Sequence, residues 1–177
     1  MSQSNFHHLC IITTGGTIEK TYDEHDGRLE NRLTELEKRI LHRLRLPYMS
    51  YEVFAPLSKD SLHFSDADRD LIKNTALEAI GSGRFSAILI IHGTDTMDKT
   101  AEYLRLGLSP SLKLPVVFTG AMKPMGFEDS DATQNVTEAI IATKLCAPGV
   151  YISFHGEIFD LPNVRKNREK LTFERTK

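Results

Sequence analysis

Two short turns that combine glycine with threonine are the parts of this sequence best suited to chemistry. The first is the Thr-Gly-Gly-Thr run at residues 14–17, and the second is the His-Gly-Thr-Asp run at residues 92–95. Each follows an apolar run and is therefore predicted to lie at the end of a strand. Glycine lets backbone amides approach a ligand and accepts a positive φ, and threonine supplies a hydroxyl that can act as a nucleophile. Two such turns predict a site for a polar molecule that is anionic or carries a carbonyl group.

A threonine hydroxyl becomes an effective nucleophile only when another group takes its proton. Lysine can do so when burial lowers its pKa, and an aspartate beside it can orient the ammonium. We therefore predict a relay of Thr94, Asp95 and Lys166, with Thr17 as a second hydroxyl across the pocket. His92, which follows an apolar run, is predicted to be a hydrogen-bonded core histidine rather than a base.

The predicted ends of neighbouring strands supply further groups that could bind a substrate. The backbone amides of Gly16 and Gly93 can donate to a developing oxyanion. Ser61 can bind a carboxylate or an amine, although it and Asp60 are also residue types that commonly cap a turn. This combination suits acyl transfer or hydrolysis better than redox or phosphoryl chemistry.

The elements that must position these groups follow an alternating pattern. Five apolar runs predict strands at residues 6–13, 51–55, 87–91, 114–119 and 150–154. The third run is apolar throughout, which is typical of a parallel strand covered on both faces. We predict a three-layer α/β/α fold with a mainly parallel, doubly wound sheet of the flavodoxin or Rossmann-like type. Ligands of such sheets bind outside the carboxyl ends of the strands, where the groups above are predicted to converge.

Residues that start and end helices lie between these strands. The predicted N-terminal caps are Thr34 with Glu37, Ser65, Thr96 or Asp98, and Ser130 or Asp131. Gly81 is predicted to end the second helix, and Pro110 is predicted to end the third. Each helix would thus form a crossover between successive strands of the sheet.

Two polar segments lack the pattern of a helix or a strand. Residues 19–32 are rich in Asp, Glu and Gly, and because they follow the first turn we predict a flexible loop that acts as a lid. Residues 165–177 are highly charged and are interpreted as a C-terminal arm, either a tail or a contact for a partner. Since the sequence has no internal repeat or linker, residues 1–177 are predicted to form one domain.

The composition argues against several classes of protein. The 177 residues carry a net charge of -2, so neither a nucleic-acid surface nor a polybasic membrane patch is expected. No apolar run approaches the roughly 20 residues that span a bilayer, and the N-terminus lacks the pattern of a secretory signal. Cys10 and Cys146 lack the spacing of metal ligands, and we interpret them as reduced core thiols. These features predict a cytoplasmic globular protein.

The two turns, with the strands before them, resemble the two signature motifs of the bacterial-type asparaginase family. The matching strings are Ile-Ile-Thr-Thr-Gly-Gly-Thr-Ile at residues 11–18 and Ile-His-Gly-Thr-Asp-Thr-Met at residues 91–97. Supporting similarity extends over most of the chain, at residues 60–61, 119–124, 130–135 and 159–166. The paired signatures are specific to the family, and the later segments add support.

This resemblance implies hydrolysis of an amino-acid side-chain amide to an acid and ammonia, with L-asparagine as the expected substrate and L-glutamine as a minor one. Thr17 is implied to attack the amide, and Tyr22, on the lid, to activate it. Thr94 is implied to pair with Lys166 and Asp95, and Asp95 also to hold the substrate α-amino group. No metal or organic cofactor is expected.

The resemblance also implies a substrate-binding set and an assembly. Ser61 is expected to contact the substrate α-carboxylate; the other members of the set are Gly16, Asp60, Gly93, Thr94, Asp95 and Ala121. Common members of the family have a second, C-terminal domain that helps complete a neighbouring subunit's site. This chain ends near the boundary of the first domain and so resembles the short, single-domain asparaginases, in which the acidic group from that second domain is missing or replaced. A homodimer or a larger homo-oligomer is expected.

Three alternatives remain open at the level of sequence. The first is an asparaginase-like subunit of a tRNA-dependent amidotransferase, although such chains are larger and this sequence has no basic patch. The second is a non-catalytic module that binds or senses an amino acid, although a binding module need not keep both hydroxyls and the lysine. A nucleotide-binding Rossmann protein is least favoured, because the first turn lacks the Gly-x-Gly-x-x-Gly pattern.

Overall fold

Helices and strands alternate through the computed structural model, which describes residues 6–23, 28–31, 35–109 and 111–176, with the backbone alone for residues 21–23, 28–31 and 35. The strands are β1 (His7–Thr13), β2 (Lys20–Asp23), β3 (Arg28–Asn31), β4 (Met49–Phe54), β5 (Ala87–Ile91), β6 (Pro115–Thr119), β7 (Gly149–Phe154), β8 (Glu157–Asp160), β9 (Val164–Asn167) and β10 (Thr172–Arg175). The α-helices are α1 (Glu35–Arg39), α2 (Asp66–Ser82), α3 (Met97–Leu108) and α4 (Ala132–Leu145). Short 3-10 helices cover Thr17–Glu19, Leu41–Arg43 and Ser61–His63.

A six-stranded sheet forms the centre of the fold, in the order β4-β1-β5-β6-β7-β8. Its first five strands are parallel, and β8 pairs antiparallel with β7 at the edge. When the five parallel strands are numbered by themselves in chain order, they have the order 2-1-3-4-5 of flavodoxin-like folds. The predicted doubly wound sheet is confirmed, and each of the five predicted strands is present with its ends shifted by two residues or fewer.

The sheet divides its side chains between two apolar cores, one on each face. Ile88 and Ile90 of β5 belong to the core that α2 and α3 complete, whereas Leu89 and Ile91 belong to the core that α1 and α4 complete. This alternation follows from the two-residue repeat of a strand. All residues of β5 are buried, so β5 is the doubly covered strand that the sequence predicts.

The predicted start of α2 is confirmed, whereas its predicted end is wrong by two residues. The Ser65 hydroxyl accepts from the amide of Asp68, and the Asp68 carboxylate accepts from the amide of Ser65, as in a capping box. The helix then continues through Gly81 and ends before Gly83, which has a φ of 64°. The backbone turns left-handed at Gly83, and that conformation, which glycine adopts without strain, ends the helix.

The starts of α3 and α4 agree with one of the two alternatives predicted for each. Helix α3 begins after Thr96 and α4 after Asp131. The Thr96 hydroxyl does not cap α3; it donates instead to the backbone carbonyl of Ser61 at 2.8 Å. Thr34 and Pro110, the predicted start and end of two helices, lie outside the described residues.

The prediction of a loop over residues 19–32 is corrected for the part that the structure describes. Strands β2 and β3 form an antiparallel hairpin, in which Lys20 pairs with Asn31 and Asp23 pairs with Arg28. Glu19 is fully buried. The sequence conceals this hairpin because its strands are short and polar, so no alternation of apolar residues marks them. Residues 24–27 and 32 lie outside the described residues, and the role of the segment as a lid stays a prediction.

The segment interpreted as a charged arm, residues 165–177, forms a second antiparallel hairpin through its described residues. Strands β9 and β10 pair from Val164 with Arg175 to Asn167 with Thr172. Phe173 is buried against Phe154, with 5.1 Å between the ring centroids. One buried aromatic residue therefore attaches this otherwise charged segment to the core, and the arm is a packed hairpin rather than an extended tail. Contact with a partner stays a prediction.

Both cysteines are free thiols. Burial, with a further contribution from Glu52, raises the pKa of Cys10 to about 12, and burial also raises the pKa of Cys146. Neither thiol is therefore poised to react at neutral pH. In the part of the chain that the structure describes, no helix has the length and apolar character needed to cross a membrane.

Candidate active site

The two glycine turns meet at the carboxyl ends of β1 and β5. A Cβ atom on Gly16 would lie 2.6 Å from the Cα atom of Gly93, and a Cβ atom on Gly93 would lie 2.5 Å from Ser61 Oγ. The backbones of the two turns are therefore in direct contact, and Ser61 lies against the second. The order of the sheet reverses between β1 and β5, which is where doubly wound folds bind their ligands.

Hydrogen bonds fix these turns and the loop after β4 to one another. The amide and the hydroxyl of Thr14 both donate to the carbonyl of Ile91, at 3.1 and 3.0 Å. The amide of Lys59 donates to the carbonyl of Thr14 at 3.1 Å, and the Thr96 hydroxyl reaches the carbonyl of Ser61. Three segments that are distant in the sequence thus form one rigid surface.

Ser61 presents an unsatisfied hydroxyl on that surface. Ser61 is 1% exposed, and its Oγ atom has no hydrogen-bond partner among the described residues. A buried polar group without a partner costs roughly 1–3 kcal/mol, and a ligand that bonds to it would remove this cost. The turn is capped instead by Asp60, whose side chain accepts from the amide of Leu62. Ser61 is therefore better placed to bind a ligand than to cap the turn.

The structure brings together the three residues of the predicted relay. Lys166 Nζ donates to Thr94 Oγ1 at 2.7 Å and to Asp95 Oδ1 at 3.1 Å. Thr94 is 3% exposed and the Lys166 side chain is 13% exposed. Because an ammonium group can only donate, the Thr94 oxygen accepts, and the proton of its hydroxyl remains available for another group.

Arg168 is a further charged residue at this site, and it was not among the residues predicted from the sequence. Its guanidinium lies 3.1 Å from Asp95 Oδ1, the same oxygen that Lys166 contacts. Arg168 occupies the turn between β9 and β10, and its side chain is 68% exposed. Its position two residues after Lys166 is the signal that could have indicated it.

Thr17 lies at the start of the first 3-10 helix, directly after Gly16, which has a φ of 90°. It is half-buried, and its hydroxyl makes no hydrogen bond with the described residues. Since β1 and β5 are adjacent and parallel, Thr17 and Thr94 leave the sheet from neighbouring strands at the same edge. The side chain of Tyr22 lies outside what the structure describes, so its implied role is untested.

Asp60 forms an ion pair with Lys20, a residue that the sequence did not indicate. Lys20 Nζ donates to Asp60 Oδ2 at 2.9 Å. Partial burial alone would raise the pKa of Asp60, but the bonds from Lys20 and from the amide of Leu62 outweigh it, and the pKa is lowered. Because Lys20 is the first residue of β2, this pair attaches the β2–β3 hairpin to the loop that carries Ser61.

Ala121 is buried in the loop after β6, next to Gly120. A Cβ atom on Gly120 would collide with the carbonyl of His92, so this loop packs directly against the second glycine turn. The Asp131 carboxylate accepts from the amides of Met122 and Lys123, each at 3.0 Å. These bonds fix the backbone that follows Ala121.

Two buried titratable residues, Glu19 and His92, lie next to the glycine turns. Burial raises the pKa of Glu19 to about 7. Burial lowers the pKa of His92 to about 4, so its ring is neutral at neutral pH. His92 Nδ1 bonds to the carbonyl of Gly93 at 2.7 Å, but Nε2 has no partner among the described residues. The prediction that His92 is a core residue is therefore supported, with only one of its nitrogens hydrogen-bonded.

The assembled groups can carry out nucleophilic attack on a carbonyl carbon. They comprise hydroxyls on neighbouring turns, a lysine bonded to one of them, and backbone amides at glycines where no side chain fits. The described residues contain no group of three or more His, Cys, Asp or Glu side chains that could hold a metal ion.

The sequence places the chain in a known family. A family model described as "Asparaginase, N-terminal" matches residues 8–173. The chain therefore belongs to the asparaginase family.

Curated relatives of two kinds match this chain. An L-asparaginase from Bacillus licheniformis is 27% identical over 164 residues, which cover 89% of this chain and 49% of the relative. A glutamyl-tRNA(Gln) amidotransferase subunit from Aeropyrum pernix is 31% identical over 157 residues, which cover 86% of this chain and 36% of the relative. The chain thus spans about half the length of the first relative and about a third of the second.

Solved structures agree on the fold. The thermostable L-asparaginase from Thermococcus kodakarensis has a TM-score of 0.83 and 27% identity, and the match covers 95% of this chain and 51% of that one. A probable cytoplasmic L-asparaginase from Campylobacter jejuni has a TM-score of 0.79 at 21% identity, over 96% of this chain and 51% of that one, and this likeness concerns the fold alone.

Proposed function

We propose that this chain is an L-asparagine amidohydrolase, which releases ammonia from the side-chain amide through an ester on Thr17. The observation that carries the proposal is the pair of hydrogen bonds from Lys166 to Thr94 and Asp95, next to the two glycine turns that contact each other. An amino-acid binding module needs no lysine bonded to a hydroxyl. An amidase does need a proton-transferring group of this kind, because the attacking oxygen must lose its proton and the leaving nitrogen must gain one.

In the proposed first step, Thr17 Oγ attacks the amide carbon; the Lys166 ammonium, which donates through Thr94, gives a proton to the amide nitrogen and is restored by the proton from Thr17. The amides of Gly16 and Gly93 donate to the oxyanion, and the C–N bond then breaks as the protonated nitrogen leaves as ammonia. In the second step a water attacks the ester, which gives the free acid and restores the hydroxyl. Lys166, through Thr94, is proposed to move the protons, and Tyr22 to assist Thr17.

Ser61 and Asp95 are proposed to hold the ends of the substrate. The buried hydroxyl of Ser61, which has no partner among the described residues, is suited to bond with the α-carboxylate. The Asp95 carboxylate is suited to the α-ammonium because it is the anion of the relay, bonded to Lys166. Asp60 and Ala121 are proposed to shape the pocket through the loops that they occupy.

A second candidate is an asparaginase-like component of a tRNA-dependent amidotransferase. The similarity to the glutamyl-tRNA(Gln) amidotransferase subunits of Aeropyrum pernix and Methanobrevibacter smithii favours it. Activity of the chain by itself distinguishes the two. Release of ammonia from L-asparagine by the purified chain, faster than from L-glutamine, supports the amidohydrolase. Activity that depends on another protein chain supports the alternative.

The experiment on named residues compares threonines inside and outside the site. Thr17→Ala and Thr94→Ala should each reduce kcat for L-asparagine at least about a hundredfold, because each removes a hydroxyl on the path of the proton. Thr133→Ala, at an exposed threonine of α4, is the matched control and should leave kcat unchanged. All three should keep the circular dichroism spectrum of the wild type. A wild-type rate in either site variant would remove that residue from the scheme.

A further inference from the structure

The β9–β10 hairpin, which carries Lys166, is held to the rest of the fold by few side chains. At its open end Val164 packs into the core, and Arg175 donates to the carbonyl of Ile158 at 2.9 Å and pairs with Glu157. Near its turn, Lys166 and Arg168 contact the site. The other described contacts there with the rest of the fold are the packing of Phe173 and a hydrogen bond made by Thr172. The position of the Lys166 ammonium therefore depends on how that end of the hairpin is anchored.

His155 supplies a polar anchor in addition to the packing of Phe173 on Phe154. Its Nδ1 atom lies 3.1 Å from Thr172 Oγ1, and its Nε2 atom lies 2.9 Å from Asp131 Oδ2. Because an ionised carboxylate can only accept, Nε2 carries a proton, and Nδ1 shares a hydrogen bond with the Thr172 hydroxyl. Thr172 pairs with Asn167 across the hairpin, one position from Lys166.

A buried network of hydrogen bonds holds Asp131 and the backbone of His155 in place. Asn135, which is fully buried, donates to the carbonyl of Gly120 at 3.0 Å and to Asp131 at 2.9 Å, and it accepts from the amide of His155 at 3.1 Å. Asp131 also binds the two amides that follow Ala121. Burial alone would raise the pKa of Asp131, but these bonds and His155 lower it, so the carboxylate is ionised.

We propose that His155 is a positioning residue, which joins the Thr172 hydroxyl to the Asp131 carboxylate and so holds the Lys166 hairpin in place against the loop of Ala121. The proposal rests on the proposed function, since Lys166 and Ala121 belong to the same site. His155 itself contacts neither Thr94 nor Asp95 among its described bonds. It acts through the hairpin.

The expected signature is a loss of turnover without a loss of binding. Lys166 is proposed to move protons, and small displacements of such a group reduce rates steeply. Ser61 lies on a different loop and does not depend on the hairpin. Weakening the anchor should therefore reduce kcat without raising KM, whereas general damage to the fold would raise KM as well and reduce the amount of folded protein.

The test uses a matched pair at one position. Thr172→Val removes the hydroxyl but keeps the β-branched shape, and Thr172→Ser keeps the hydroxyl. We expect Thr172→Val to reduce kcat for L-asparagine by about five- to fiftyfold without raising KM more than about twofold, and Thr172→Ser to retain most of kcat. His155→Asn suits the left-handed backbone at His155, where φ is 49°, and its side chain is too short to span both partners. It should match Thr172→Val, and the double variant should lose no more than either single variant.

Hydrogen–deuterium exchange of the hairpin gives a measurement that does not depend on activity. Amides of residues 164–167 should exchange faster in Thr172→Val and in His155→Asn than in the wild type and in Thr172→Ser. Unchanged exchange and unchanged kcat in Thr172→Val, or equal losses in Thr172→Val and Thr172→Ser, would overturn the proposal. If the wild type releases no ammonia from either amide, the proposed function fails, and the exchange result alone decides whether His155 anchors the hairpin.

Discussion

Asp95 is shared by two cations, and this has a consequence for substrate binding. Lys166 and Arg168 both contact Oδ1 at 3.1 Å. A substrate α-ammonium that binds Asp95 is therefore attracted by one carboxylate but repelled by two cations. Arg168 is the more exposed of the two, and an exposed pair contributes little, about 0.2–1 kcal/mol. Arg168 is thus expected to weaken the binding of a substrate with a free amine by a small amount.

Arg168→Gln should lower KM for L-asparagine by about two- to fivefold, because it removes the competing charge. KM for succinamate, which has the same amide and carboxylate but no amine, should stay unchanged. Steady-state kinetics with the two substrates measure the difference. Arg165→Gln is the control, since Arg165 pairs with Glu174 rather than with Asp95. An equal change in KM for both substrates would contradict the competition.

Glu19 should make the stability of the protein depend on pH. Its pKa rises from 4.5 to about 7 on burial, so between these values the folded protein holds a proton that the unfolded chain releases. The proton's contribution to the free energy of unfolding, about 3 kcal/mol, is complete below pH 4.5 and is lost as the pH rises through 7. The folded state is therefore expected to lose stability across this window.

Glu19→Gln cannot lose a proton, so urea unfolding should show it more stable than the wild type at pH 8 and similar to it at pH 5. The exposed Glu169→Gln is the control and should follow the wild type at both pH values. Equal stability of Glu19→Gln and the wild type at pH 8 would show that Glu19 is not buried as described.

At the scale of elements, the contact between the two glycine turns joins β1 to β5. Gly16 combines a positive φ with a neighbour that leaves no room for a side chain, because its Cβ atom would lie 2.6 Å from Gly93 Cα. Backbone cannot move aside as a flexible side chain can. The turns should therefore tolerate no residue larger than glycine at this position.

Gly16→Ala should reduce the free energy of unfolding by more than about 2 kcal/mol, from left-handed strain and steric conflict together. Gly81→Ala is the matched control, because Gly81 lies in α2 with open space around it. It should stabilise the protein by about 0.5–1 kcal/mol, since alanine favours a helix. Thermal and urea unfolding measure both. A neutral Gly16→Ala would mean that the two turns are not in contact.

The elements that the sequence predicts well are those with a strong local signal. Continuous apolar runs predict the parallel strands, and Ser65 predicts the start of α2. The hairpins β2–β3 and β9–β10 carry no such signal, because their strands have four residues each and are mostly polar. Their structure depends on tertiary contacts such as Phe173 on Phe154, which no local pattern reveals.

At the scale of the whole molecule, the order of the sheet explains how residues far apart in sequence form one site. Thr17, Ser61 and Thr94 follow the strands β1, β4 and β5, which are neighbours in the sheet. This convergence could be predicted, since the carboxyl ends of parallel strands share an edge. Lys166 reaches the site differently, from a hairpin outside the sheet, and its place there was predicted from its position after the fifth predicted strand together with the family resemblance.

Arg168 could have been indicated by its position two residues after Lys166. The contacts of Lys20 and His155 could not be predicted, because each depends on side chains of distant segments. The substrate preference and the homo-oligomeric assembly stay predictions, and the chain spans about half of the L-asparaginase from Bacillus licheniformis.

The central claim is that the Thr17 hydroxyl becomes esterified during turnover, and peptide mass spectrometry after acid quenching tests it most directly. With L-asparagine present, the peptide that contains Thr17 should gain the mass of one aspartyl group, and Thr17→Ala should show no such gain. Hydroxylamine added during turnover should divert part of the product to the hydroxamate. Ammonia release with no adduct on that peptide, or an adduct on the peptide that contains Thr94, would contradict the claim.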